Sequence, residues 1–178
     1  MKKILVFLFV LVFGLGALNA EEYDYKNAKP ENIKLTYAKY VYYRIINFGD
    51  DEYDFYSPEL NFLDELNSAV GNWPDGRRLE QGNCGIGVKS VNDMRFIKLP
   101  SGNIQVSFQN YDKISTIELD IFCLNDISMR DGHGCFIDDI IEYNEFTKKF
   151  ESAKQDYINY AKQDKEILKF LKTFKFAN

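Results

Sequence analysis

Among 178 residues the chain has one histidine, His133, one tryptophan, four prolines and three cysteines. Each scarcity removes a class of function. With one histidine, and two cysteines expected in a disulfide, too few donors remain for a zinc site. Few prolines beside 12 tyrosines and 15 phenylalanines are the reverse of a disordered composition. Three cysteines, Cys84, Cys123 and Cys135, allow at most one intramolecular bridge and leave one thiol over. Basic residues are outnumbered, 22 against 27 acidic. That disfavours nucleic acid or an anionic membrane surface as partner and admits a basic protein. Internal repeats and low-complexity stretches are missing as well.

Beyond residue 20 there is no long apolar run either. The one that exists, Ile4 to Phe13, follows Lys2 and Lys3 and leads to the small-residue exit Leu18-Asn19-Ala20. This pattern predicts a secretory signal over 1–20, cleaved after Ala20, and a single α+β domain over 21–178. The run is short for a membrane span, and acidic Glu21-Glu22 follows directly. Loss of Lys2 and Lys3 would leave 20 basic residues against 27 acidic, a formal charge of −7. A periplasmic location with no membrane attachment after cleavage is the expectation, and export permits disulfides.

Glu21 to Lys29 reads as an extended lead-in. From Pro30, the residues Ile33, Tyr37, Tyr40, Val41, Arg44, Ile45 and Phe48 recur at helical spacing, and Gly49 ends the pattern. Ser57-Pro58-Glu59 is a second helix start, with a hydroxyl cap, a proline at the first position and an acid near the positive end. Leu60, Leu63, Leu66 and Val70 form its apolar stripe. Gly71 to Gly87 is a turn-rich crossing, after which strands follow: a short one over Ile86 to Val91, then Met94 to Leu99 and Ile104 to Gln109 around the turn Pro100-Ser101-Gly102-Asn103. A last helical stripe runs through Phe146, Phe150, Ala153, Tyr157 and Tyr160. Ile167, Phe170, Leu171 and Phe174 continue it after a break near Gln163-Asp164.

The stretch from Ile114 to Phe146 organises the rest. Ile117, Leu119, Ile121 and Cys123 alternate with Thr116, Glu118, Asp120 and Phe122, the period of a half-buried strand. Cys135, Ile137 and Ile141 share one face of a second strand, and Asp131-Gly132 suits the reversal between them. One register sets Cys123 opposite Cys135, with Ile121 facing Ile137 and Ile117 facing Ile141; it permits a Cys123–Cys135 disulfide and leaves Cys84 free. A competing register, turning tightly at Gly132, pairs Cys123 with Ile141 and keeps the sulfurs apart. The first is preferred because Asn125, Asp126, Ser128, Arg130 and Asp131 make a better loop than strand.

Chemistry-bearing residues are few. His133 lies two residues from Cys135, so a Cys–His nucleophilic pair can be drawn, against which stand its Gly-flanked turn and the oxidised state of exported cysteines. Asp138-Asp139 could be paired acids, yet adjacent strand residues point to opposite faces and cannot share a site without a bulge. By the Ile137–Ile141 parity Asp139 faces the apolar side, where it needs a partner; Arg44 on the first helix is expected to meet Asp139 or another inward acid. Asp126, Asp131, Asp138 and Asp139 lack the spacing of a calcium loop. Gly82 to Gly87 offers a G-x-x-G-x-G run without the strand and helix that a phosphate site requires. No metal or cofactor is expected. The connector Asp50, Asp51, Glu52, Tyr53, Asp54, Phe55 and Tyr56 is acidic and aromatic: a contact surface for a basic protein if its rings are exposed, a solvated loop if its aromatics tuck onto the helices.

Two helices, a crossing, several antiparallel strands and an end helix resemble the nuclear-transport-factor-like (cystatin-like) cone. Gly134-Cys135-Phe136-Ile137-Asp138-Asp139-Ile140 is similar to the W-x-I-D-D-I/V final strand of a family of secreted bacterial proteins of unknown function with that fold. A Tyr-rich first helix and an S-P-E-L-like second helix also recur there. Cys135-Phe136 stands where that family usually has an aromatic followed by Lys or Arg. The resemblance implies N-terminal helices on a curved antiparallel sheet with a C-terminal helix, an architecture that hosts enzymes, binding modules and structural parts alike. The functional expectation is a non-enzymatic periplasmic binding module for a protein or a small apolar ligand. One form of it is an immunity-type inhibitor of a toxin or wall-degrading enzyme. The alternative is a cone-fold enzyme with Asp139 as general base.

Overall fold

The computed structural model describes residues 23–69, 79, 88–110, 113–124, 134–144, 147–165, 167 and 169. The expected signal segment, the Gly82–Gly87 run, Cys84, the Asp131-Gly132 turn, Val70, Phe146, Phe170, Leu171 and Phe174 lie outside the described residues. The described chain is α+β: helices α1 (Ile33–Phe48), α2 (Pro58–Ala69) and α3 (Ala153–Ala161) with strands β1 (Arg95–Lys98), β2 (Ile104–Asn110), β3 (Lys113–Cys123), β4 (Cys135–Asn144) and β5 (Lys149–Ser152). The strands form one open antiparallel sheet in the order β1-β2-β3-β4-β5.

Local chemistry accounts for the boundaries. A 3-10 turn at Pro30–Asn32 leads into α1, and Gly49 closes it in the left-handed region (φ 69°), its N–H donating to the Ile45 carbonyl at 3.1 Å. Ser57 caps α2, its Oγ accepting from the Leu60 N–H at 3.1 Å. In the β1–β2 hairpin Gly102 takes φ 94°, which a side chain would resist, and donates to the Leu99 carbonyl at 2.9 Å.

The core lies between α1 and the sheet. Ile104, Val106 and Phe108 of β2, and Ile117, Leu119 and Ile121 of β3, are buried there, as their alternation predicts. Each such side chain contributes about 1.5–3 kcal/mol on removal from water. On α1 the buried residues are Tyr37, Ala38, Val41, Tyr42 and Ile45. Helical spacing had pointed to Phe48 instead of Tyr42. Phe48 is 61 % exposed at the helix end, whereas Tyr42 is fully buried with its ring 5.9 Å from Phe96 and 6.3 Å from Phe108. On α2, Leu60 and Leu63 are buried as expected, Leu66 only partly, and the polar Asn67 completely. Asn67 Nδ2 donates to the carbonyls of Leu63 (2.8 Å) and Tyr157 (3.0 Å), joining α2 to α3.

Three expectations about elements need correction. Val88–Val91 is not a strand; Val91 opens a 3-10 turn capped by Ser90. Residues 23–29 are turns rather than an extended lead-in, folding Tyr23 and Tyr25 onto α1, where Tyr23 stacks on Tyr43 at 4.5 Å. Phe150 belongs to β5, not to the last helix. Its spacing to Ala153 and Tyr157 is helical, but Lys148 adopts φ 57° and donates to the Asn144 carbonyl, which turns the chain back into a hairpin. The break before Ile167 is present: turns at Lys162–Asp164 precede helical Lys165, Ile167 and Lys169.

Candidate functional site

In the β3–β4 ladder Cys123 stands opposite Cys135, Phe122 opposite Phe136 and Ile121 opposite Ile137, and the two cysteines form a disulfide. The register then shifts between Asp120 and Ile121. Asp120 pairs with Asp139, Leu119 with Ile140, and Ile117 with Glu142 rather than the expected Ile141. The skipped residue is Asp138, so β4 carries a bulge at the acidic doublet. Alternation fails there, and Ile140 replaces Ile141 as the buried residue.

The bulge brings both acids to one residue of α3. Asp138 Oδ2 accepts from Lys154 Nζ at 2.9 Å, while Asp139 Oδ1 accepts from the Lys154 backbone N–H at 3.0 Å. Lys154 Nζ also meets Glu59 of α2 at 2.8 Å. Asp139 takes two further donors, the Ser152 hydroxyl at 2.5 Å and the Ile140 N–H at 2.8 Å. Ser152 in turn caps α3 by accepting from the Gln155 N–H at 2.9 Å. Where β5 ends, Tyr56 bridges to Ile137 and the Ser57 N–H donates to the Ile137 carbonyl at 2.8 Å. Burial raises the pKa of Asp139 above the ordinary aspartate value, and its three hydrogen bonds only partly oppose that. Burial pulls the Lys154 ammonium the other way, but its carboxylate partners outweigh it and hold its pKa above the usual lysine value.

Arg44 is not the partner of Asp139. Its Nε donates to Asp50 Oδ2 at 2.7 Å and its guanidinium lies 4.9 Å from the Phe48 ring, both partly exposed at the end of α1. The physical reason is the bulge: it turns Asp139 toward the N–H groups opening α3 instead of toward α1.

The connector divides by exposure. Phe55 and Tyr56 lie in the core and Glu52 is buried, whereas Asp51 and Asp54 are exposed and Asp50 and Tyr53 half-buried. Of the two readings of the connector, Phe55 and Tyr56 follow the one in which the aromatics tuck onto the helices: residues 52–55 form a 3-10 turn with Phe55 buried. The Phe55 carbonyl accepts from the Tyr37 hydroxyl at 3.5 Å. Glu52 Oε2 accepts from the Leu79 N–H at 2.8 Å, and the Tyr42 hydroxyl donates to the Leu79 carbonyl at 3.1 Å. Two buried side chains thus hold both polar groups of one fully buried residue. The Tyr56 hydroxyl is raised well above its ordinary pKa by burial and by the Glu52 carboxylate beside it.

Tyr53 and Asp54 of the connector face α2. Tyr53, Asp54, Asn61, Asp64, Glu65 and Ser68 line a groove of about 490 Å³. Asn61 Nδ2 donates to the Tyr53 carbonyl at 2.9 Å, fixing the turn against the helix. Asn61 Oδ1 has no hydrogen-bond partner among the described residues. The carboxylates of Asp54, Asp64 and Glu65 likewise have no cationic partner among the described residues. Asp64, Glu65 and Ser68 escaped the sequence reading. Their one signal was position: Asp64 and Glu65 fall between the apolar residues Leu63 and Leu66, and Ser68 between Leu66 and Val70.

His133 lies outside the described residues. Among the described residues no group of three or more His, Cys, Asp or Glu side chains is placed to hold a metal ion, and no helix is long and apolar enough to cross a membrane. Comparison of the chain with protein-family models, with curated proteins and with solved structures finds no match.

Proposed function

We propose that this is an exported binding protein whose partner is a basic protein, engaged at the groove between the Glu52–Phe55 turn and α2. The carrying observation is the groove wall, where Asp54, Asp64 and Glu65 have no cationic partner among the described residues and stand beside Tyr53. Unneutralised carboxylates steer a cationic partner, and a tyrosine supplies contact area at small entropic cost. An excess of acidic over basic residues acts in the same direction over the whole surface. Tyr37, Tyr42, Phe108 and Ile117 are buried in the core, and the groove is a surface feature suited to a protein more than to a lodged apolar ligand.

Export is supported by the leader-like first twenty residues and fits the Cys123–Cys135 disulfide. A nuclear-transport-factor-like cone is the finer fold we propose, supported by the helices packed against an antiparallel sheet and by the Gly134–Ile140 motif at the start of β4. Within the binding reading, an immunity-type inhibitor of a basic toxin or wall-degrading enzyme is the narrower form. The enzymatic alternative gains no support from Asp139, since three donors already engage its carboxylate.

A panel of basic and acidic exported proteins, titrated against the protein by calorimetry, tests the reading. Binding confined to basic members, weakened by salt and lost in Asp64→Lys/Glu65→Lys, supports it. Equal binding of acidic members, or indifference to that double change, overturns it.

A further inference from the structure

The face of the sheet turned away from α1 carries exposed apolar side chains. Because Ile117, Leu119 and Ile121 point into the core, Ile114, Glu118, Asp120 and Phe122 share the opposite side of β3. Ile114 is 73 % exposed and Phe122 52 %. On the neighbouring strands Tyr143 pairs with Phe150, their rings 5.4 Å apart, and both are exposed. Between these apolar ends lie Glu118 and Asp120, half-buried and with no hydrogen-bond or ion-pair partner among the described residues. Asp120 has another acid, Asp139, directly across the ladder.

Exposed aromatic and aliphatic side chains on one face mark an interaction surface. The charge between them selects what covers it. A second copy would have to form a self-complementary interface, laying one acidic band against its twin. An anionic lipid surface is repelled for the same reason. A cationic surface with apolar side chains matches both features.

We propose that this face docks a basic protein segment, its lysines or arginines meeting Glu118 and Asp120 and its apolar side chains covering Phe122 at one end and Tyr143 and Phe150 at the other. The surface is built from β3, β4 and β5. It goes beyond the groove on α2 and does not depend on it.

The test is a magnetic-resonance titration of the isotope-labelled protein with a synthetic peptide of alternating lysine and leucine, and with its lysine–serine counterpart. The expected result is saturable shifts at Glu118, Asp120, Tyr143 and Phe150 with the first peptide. The second peptide, and the Glu118→Lys/Asp120→Lys variant, should bind at least about tenfold more weakly. Phe150→Ser, which leaves the charges in place, should lose the leucine preference and gives an independent route if the charge variant fails to fold. Shifts confined to Asp54, Asp64 and Glu65 would overturn the sheet-face proposal while leaving the groove reading intact. Concentration-dependent dimerisation abolished by Phe150→Ser would overturn it too, making the face a self-association surface.

Discussion

The Ser152 hydroxyl donates to the Asp139 carboxylate at 2.5 Å, and this one bond ties the bulge of β4 to the start of α3. Ser152 also accepts from the Gln155 N–H, so the carboxylate supports the helix cap from behind. Asp139→Ala should cost about 1–3 kcal/mol, because the Lys154 N–H and the Ser152 hydroxyl lose their acceptor in a half-buried site. Equilibrium urea unfolding measures it. An unchanged midpoint would mean that water replaces the carboxylate without loss.

The same residue sets a pH dependence. Its folded pKa is raised, so the folded state binds the Asp139 proton more tightly than the unfolded chain does. Its contribution to stability is fully present below the ordinary aspartate value and is lost as pH rises through the raised one. Asp139→Asn removes this term while keeping an acceptor for the Lys154 N–H. Melting temperatures of the two proteins, compared between acid and neutral pH, should show wild type gaining on the variant as pH falls. Wild type losing ground on acidification would contradict the sign.

Arg44 was expected in a buried pair, where truncation costs about 3–5 kcal/mol. Its partly exposed contact with Asp50 predicts a far smaller effect, under about 1 kcal/mol for Arg44→Met. Lys154→Met, by contrast, strands two partly shielded carboxylates, Asp138 and Glu59, and should cost about 1–2 kcal/mol. Thermal denaturation of both variants side by side decides the ranking, and a larger loss at Arg44 would invert it.

Reducing the Cys123–Cys135 bridge, with its sequence separation of 12, should lower stability by about 2–3 kcal/mol through release of the unfolded chain. Cys123→Ser/Cys135→Ser gives the same comparison without reductant. No difference between oxidised and reduced protein in urea unfolding would show that the ladder holds this end unaided.

Tyr42 and Asp139 show where the sequence could and could not be read. The alternation of β2 and β3 and the Ser57-Pro58-Glu59 start were legible because one rule, period or cap chemistry, decides each. Tyr42 sits between apolar Val41 and Tyr43, so spacing alone could not tell which rings face the core. A bulge adds a residue without a sequence mark, and with it the side to which Asp139 turns and the β3–β4 pairing beyond Ile121 changed. Phe150 was ambiguous between a helical and a strand period until the left-handed Lys148 chose the hairpin. The groove combines a connector and a helix that only tertiary packing brings together, so Asp64 and Glu65 could not be grouped with Asp54 beforehand.

A basic partner at that groove can be captured by a photoreactive phenylalanine analogue in place of Tyr53, irradiated in living cells that express the protein. A discrete adduct with a basic protein is expected, absent when Asp64→Lys/Glu65→Lys is added and absent when the analogue replaces Lys98, which lies on β1. An adduct that survives the charge reversal, or an acidic protein captured at Tyr53, would contradict it.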